Sequence, residues 1–159
     1  MVVGLIAAAD PNISSPQFFG YMGACIALVF ANVGAAYGTA KSSIGIANLG
    51  FVEPNKIFRA LIPVIMAGIL GIYGLIVAVL MASKIKDADR QTGYKQLASG
   101  MCCGLSSLAS GLAIGVIGDA AVKSYAQTEK VYVGMIIMLI FAEAIGLYGL
   151  IIAIIMGSA

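Results

Sequence analysis

Four apolar runs dominate this chain, about Phe18 to Ala40, Ile57 to Ala82, Leu97 to Val122 and Val131 to Met156. Each is longer than the ~20 residues with which a helix crosses a hydrocarbon core about 30 Å thick. In lipid every backbone N–H and C=O must find a partner within the protein, which leaves helices or a closed barrel. Runs of this length and uniformity predict helices, so the expected fold is an all-α integral membrane protein with four transmembrane helices. The charged and helix-breaking residues collect in the connections "KSSIGIANLGFVEPNK", "SKIKDADRQTGYKQ" and "KSYAQTEK". Four spans put both termini on one side of the membrane and the first and third connections on the other.

Composition narrows the function classes. With 61% apolar and 10% charged residues, the chain lies outside the range of soluble domains. Its net charge of +2 is scattered, with no basic run to follow a phosphate backbone, so no nucleic-acid partner is expected. There is no histidine, and Cys25, Cys102 and Cys103 all fall within apolar runs, so neither a metal site nor a disulfide framework is expected. The chain has no Gly-x-x-x-x-Gly-Lys loop, hence no nucleotide site or catalytic site of its own, and no cofactor is implied. The opening "MVVGLIAAAD" lacks a basic region and reads as no cleaved signal peptide. Lys41, Lys56, Arg59, Lys123 and Lys130 flank the first and third connections, against Lys84, Lys86, Arg90 and Lys95 beside the second. That near balance gives no orientation from charge.

The four spans are two copies of one hairpin. "VIMAGILGIYGLIVAVLM" (Val64 to Met81) aligns without gaps on "LIFAEAIGLYGLIIAIIM" (Leu139 to Met156) at an offset of 75, with nine of eighteen positions identical. The first and third spans align at an offset of 77, matching Gly23 to Gly100, Cys25 to Cys102, Gly34 to Gly111 and Gly38 to Gly115. The expected organisation is a single membrane domain over residues 1–159, with repeat 1 at about 16–82 and repeat 2 at about 93–157. Each repeat holds an even number of spans, so the copies insert in the same orientation and are related by rotation about the membrane normal, a geometry that suits a ring.

At 100° per residue, Gly20, Gly23, Ala27, Ala31, Gly34 and Gly38 share one narrow face of the first span. Gly100, Gly104, Ser107, Gly111, Gly115 and Gly118 do the same in the third. Lipid tails are as apolar as leucine, so helices associate in a membrane through close backbone approach, which small residues permit. One such motif is ordinary helix packing, but a continuous small face on the first span of both copies fits spans packed side by side in a circle. Helices 1 and 3, the most crowded, would lie inside. Helices 2 and 4, with looser stripes from Ala67 to Ala82 and from Ala142 to Gly157, would lie outside.

Within "IFAEAIGLYGLI" stands Glu143, near the middle of its run, with no Lys or Arg near its depth. The first copy has Gly68 at the matching position, so one carboxyl serves two hairpins. A charged side chain at the bilayer centre costs from about 2.5 to more than 10 kcal/mol, depending on method. An isolated carboxyl escapes that cost by staying protonated. Glu143 is therefore read as a proton-binding group, neutral while it faces lipid and ionised where another chain offers water or positive charge. The blander reading is a buried glutamic acid hydrogen-bonded to a neighbouring helix. Tyr148 and its counterpart Tyr73 can orient the carboxyl or simply pack. Met66 and Pro63 are further supporting candidates, Pro63 through a bend that opens room at the carboxyl's level. Ser106, Ser107 and Ser110 are expected to bond carbonyls of their own helix. Asp119 is close enough to a span end to be wetted, and the Asn32 amide has to be satisfied between helices.

The segments "VIMAGILGIYGLI", "GAAYGTAKSSIGI", "GLAIGVIGDAAVK" and above all "VGMIIMLIFAEAIGLYGLI" resemble the duplicated rotor-ring proteolipids of the eukaryotic vacuolar-type ATPase, from about Pro16 to Gly157. That resemblance implies several copies, or mixed isoforms, in a ring within the membrane sector, with Glu143 matching the proton-carrying carboxyl. It implies a stator subunit that supplies an arginine, and cytosolic central-stalk subunits that meet the first and third loops. It implies termini on the lumenal side of a vacuolar or other acidic endomembrane. Relatives usually read Gly-Asp-Ala-Gly-Val-Arg where this chain has "GDAAVK" from Gly118 to Lys123, a departure at a span end that leaves the ion site intact. Family members that carry sodium surround their glutamate with Gln and Thr oxygens. Ile62, Pro63, Ile65, Met66 and Gly68 offer no side-chain oxygen, and a hard cation needs several, so the proton is the expected ion.

Two rival classes share some of these features. A small proton-coupled antiporter also has four spans and one membrane glutamate, but that glutamate lies in the first span among aromatic residues. A structural packing protein would need the glycine faces alone and gives Glu143 no task.

Overall fold

The computed structural model describes residues 15–85 and 90–158, which form four long helices: α1 (Ser15–Val52), α2 (Ile62–Ala82), α3 (Arg90–Gln127) and α4 (Val131–Ser158). Among these residues there is no strand. All four helices are long and apolar enough to cross a membrane. The opening "MVVGLIAAAD" and Lys86 lie outside the described residues.

Helices α1 and α3 run well past their apolar cores. Each has 38 residues, about 57 Å at 1.5 Å per residue, against a hydrocarbon core of about 30 Å. The stretch from Lys41 to Val52, read from sequence as connection, continues α1 instead. Its buried positions Ser42, Gly45 and Leu49 recur every three to four residues, and Leu49 joins Val122, Tyr125 and Met135 in a core cluster. Tertiary burial of that stripe carries the helix beyond the lipid-matched run. Pro54 then stops it: the residue before a proline is pushed out of the helical region, and Glu53 sits at φ −143°, ψ 84°.

A 3₁₀ turn (Pro54–Lys56) and one helical turn (Ile57–Ala60) return the chain to α2. The break falls at Leu61, because Pro63 occupies the first turn of α2, where its missing N–H removes no helical bond. Between α3 and α4 only Thr128, Glu129 and Lys130 intervene, closed by hydrogen bonds from Thr128 N to Ser124 O (3.0 Å) and Tyr132 N to Glu129 O (3.1 Å).

Packing follows the repeat. The most extensive contact joins α1 to α3, across the two copies rather than within a hairpin. Helix α2 covers α1, and α4 covers α3, so each hairpin repeats the same relation. The stripe predicted on α1 and α3 is the seam between them. A methyl on Gly34 would lie 2.7 Å from both Leu108 Cα and the Ser107 carbonyl oxygen. One on Gly100 would overlap the Gly23 carbonyl. Gly38 faces Gly111, Gly104 meets Ile26, and Gly115 meets Gly38. No described glycine takes a positive φ, so these residues serve close approach and not an unusual backbone conformation. The looser stripes do the same work one layer out: Gly74 seats on Ala27 and Ala31 of α1, and Gly149 on Cys102 and Ser106 of α3.

Candidate functional site

Glu143 is residue 13 of α4, counting from Val131, so it stands about 18 Å from the helix start at 1.5 Å per residue. The Tyr73 hydroxyl of α2 donates to its Oε1 at 3.1 Å, in a half-buried setting. Among the described residues the carboxyl forms no ion pair; the salt bridges found there involve Lys41, Lys56 and Lys123 with Asp119, Glu53 and Glu129. The described residues thus offer Glu143 a neutral donor and no cation. That arrangement holds the carboxyl only loosely, because a neutral hydrogen bond contributes only about 0.5–1.5 kcal/mol net.

Next to it, the Ser110 hydroxyl of α3 donates to the Ala142 carbonyl of α4 at 2.7 Å, with both residues buried. A second bond of this kind joins Ser99 Oγ to Ala153 O at 2.6 Å. The own-helix bonding expected of the serines holds for Ser106, which donates to Cys103 O at 3.1 Å. It fails for Ser110. The small residues Ala142, Gly146 and Gly149 bring α4 so close to α3 that the hydroxyl reaches across: a methyl on Gly146 would lie 3.3 Å from Ser110 Cβ and 2.7 Å from the tip of Leu70. The sequence signal was there, since Ser110 sits one turn from Ser106 on a glycine-faced helix, but spacing within one helix does not show which neighbour a hydroxyl will find.

The other predicted residues separate. Tyr148 is 64% exposed on the outer surface of the isolated chain, away from its own carboxyl. Met66 packs half-buried against the cluster of Leu70, Ile114, Leu139 and Ala142. Pro63 is buried beside Gly118, which lies eight residues, or about 12 Å along α3, from the level of Ser110. Its room is made at the loop end of the bundle and not beside Glu143. Asn32 points its amide oxygen at α2, where a methyl on Gly71 would lie 2.8 Å from Oδ1. Asp119 is paired with Lys123 (2.8 Å) and Lys41 (3.6 Å) at the span end.

At that same end lies a cluster that the spacing of the sequence does not announce. Lys56 Nζ pairs with Glu53 (3.4 Å) of the first loop and Glu129 (3.1 Å) of the third, and lies 5.6 Å from the Tyr125 ring centroid. The two loops are thereby tied into one surface. At the opposite end an apolar cavity of about 120 Å³ opens between α2, α3 and α4, lined by residues that include Met81, Lys84 and Ser99.

A family model for the C subunit of ATP synthase matches this chain twice, at residues 22–81 and 97–156. Among curated proteins, the chain is 51% identical over 146 residues to a 16 kDa proteolipid c subunit of the V-type proton ATPase of Caenorhabditis elegans, covering 89% of this chain and 91% of that one. It is 49% identical to the corresponding V-type proton ATPase 16 kDa proteolipid of Ascaris suum over 158 residues, covering 97% and 98%. It is 52% identical to that of Rattus norvegicus over 150 residues, covering 94% and 96%. Two matched copies of one unit, an identity near one half over almost the whole length, and four apolar helices around a single midspan carboxyl place the chain in the family of duplicated 16 kDa proteolipid c subunits of the V-type proton ATPase.

Proposed function

We propose that this chain is the proton-carrying rotor subunit of a rotary ATPase membrane sector and that Glu143 is its proton-binding group. The observation that carries this reading is the setting of Glu143: a lone carboxyl midway along an apolar helix, held by one neutral hydroxyl and, among the described residues, by no cation. In lipid such a group is retained protonated. Beside a stator subunit's arginine, an ionised carboxylate is favoured and the proton is released to an aqueous path. Turning the ring carries the neutral form from one path to the next, and ATP hydrolysis elsewhere in the complex drives the turning.

The ring is supported by the two sides of α1. Opposite its glycine face, half a turn away at 100° per residue, lie Met22, Cys25, Val29, Ala36, Ala40, Ser43 and Ala47, all exposed in the isolated chain and all small from Ala36 onward. A lipid-facing strip would carry bulk, as α2 does at Ile65, Ile72 and Val79 and α4 does at Ile137, Phe141 and Ile155. The small half of that face, from Ala36 to Ala47, suits a second close helix, α3 of the next copy. Helices α1 and α3 then form the inner circle, α2 and α4 the outer one. The same repetition sets Tyr148 of one copy against Gly68 of the next, as Tyr73 meets Glu143 within the chain. The surface tied together by Lys56 faces the cytosolic stalk, and the termini face the lumen.

Glu143→Gln tests the reading. The variant keeps the shape and loses the titratable proton, so the ring assembles and ATP-driven acidification of vesicles stops. Acidification that persists with the Gln variant as the only proteolipid carrying this position overturns the role.

A further inference from the structure

Two bonds hold α4 at the level of Glu143, and they differ in kind. Tyr73 holds the side chain of Glu143, from α2. Ser110 holds the backbone of the preceding residue, Ala142, from α3. A carboxyl that exchanges its proton at another subunit must break the first bond in each cycle. Nothing in that exchange requires the second to break, since the Ala142 carbonyl lies in the buried seam between α3 and α4.

From this pairing we infer that Ser110 is a positioning residue for proton exchange: it fixes the rotation and height of α4, so that Glu143 moves between its Tyr73-bonded and stator-facing arrangements by side-chain rotation alone. The inference rests on Glu143 being the proton-binding group. Three features support a directed task over general adhesion. The bond is short and fully buried. It lands one residue from the carboxyl. Gly146 clears the space that lets Ser110 approach, and Leu70 closes on the same glycine from α2. The helix is thus gripped from both neighbours within a single turn of Glu143. Cys103 and Ser106, also on α3, meet α4 or their own helix further along and do not reach this carbonyl.

The structure supplies its own control. Ser99 makes the same hydroxyl-to-carbonyl bond from α3 to α4, at Ala153, ten residues or about 15 Å from Glu143. If the two bonds merely join helices, Ser99→Ala and Ser110→Ala act alike. If Ser110 positions the carboxyl, only its loss reaches Glu143.

The assembled membrane sector is prepared with Ser99→Ala, Ser110→Ala, Ser110→Cys and Glu143→Gln. The infrared C=O stretch of the protonated carboxyl is identified by difference against Glu143→Gln, and vesicle acidification is measured alongside. With Ser110→Ala the band broadens and shifts, and acidification falls roughly 10- to 100-fold, the scale expected when a reacting group is misplaced by about an ångström. Ser99→Ala leaves both unchanged. Ser110→Cys, close in size but a weaker donor, gives intermediate values, and it carries the test if the Ala variant does not assemble. An unmoved band in both Ser110 variants overturns the inference, as does an equal shift from Ser99→Ala. Persisting acidification in Glu143→Gln removes the reading beneath it, whereas its loss there with normal Ser110 variants removes this inference alone.

Discussion

At the residue scale, the Tyr73 hydroxyl is what the chain gives the proposed proton-binding carboxyl of Glu143. On the proposed role, the donor must hold the carboxyl in place without competing with a stator cation. Replacing Tyr73 by Phe removes about 1 kcal/mol of preference for the bonded arrangement, or a roughly five-fold change in population. The free carboxyl is then more available at the lipid surface, so its modification by a hydrophobic carbodiimide is expected to proceed several-fold faster while ring assembly is unchanged. An unaltered rate would show that the hydroxyl packs and does not orient. Sequence marked Glu143 plainly, because an unpaired acid in an apolar run is costly unless it has a task. It left Tyr73 and Tyr148 equivalent, as both sit five residues beyond matching positions of the two copies. Only folding separates them, by setting one on a carboxyl within the chain and the other on the outer surface.

At the element scale, the α1–α3 seam depends on absent side chains. Gly34→Ala inserts a methyl 2.7 Å from backbone atoms that cannot swing aside. Overpacking of this kind costs typically 1–3 kcal/mol. Gly134 is the counterpart on α4, with nothing within 4 Å of its added methyl. Gly134→Ala is therefore expected to be neutral or to stabilise by up to about 1 kcal/mol through helix propensity. Thermal unfolding of the purified protein measures both: a lowered midpoint for Gly34→Ala and no lowering for Gly134→Ala. The glycine faces were legible because periodicity is a property of one helix. The end of α1 was not, since the apolar run gives the length of the membrane crossing, while Leu49 and Gly45 extend the helix by packing on α3 outside it.

At the scale of the whole molecule, Lys56 ties the first loop to the third outside the membrane. Lys56 bridges Glu53 and Glu129, so Lys56→Met frees the first loop from the third. Both carboxylates are solvent-facing, with Glu129 68% exposed, and methionine keeps the apolar stem of Lys56 beside Tyr125, so overall stability is expected to change little. Amide hydrogen exchange at residues 127–131 is expected to quicken, and unchanged protection there would show that the short turn holds itself. The repeat also makes a prediction about stoichiometry. Gly68 occupies the position of Glu143 in the first copy, and an added Cβ there meets nothing within 4 Å. Gly68→Glu is expected to assemble and to present a second carboxyl per chain, seen as up to twice the carbodiimide incorporated; incorporation equal to wild type would mean that Tyr148 of the next copy does not create a matching site.

The amino-acid sequence by itself determined the class of solvent, the number of crossings, the duplication and the single carboxyl that stands midway along an apolar run. These follow from transfer free energies and helical periodicity, which act on each segment separately. Tertiary structure alone decided that the glycine face of α1 meets α3 of the same chain, which tyrosine reaches the carboxyl, and that Ser110 bonds α4 instead of its own helix. Those outcomes depend on distances between segments remote in the chain, set by how closely glycine lets two backbones approach.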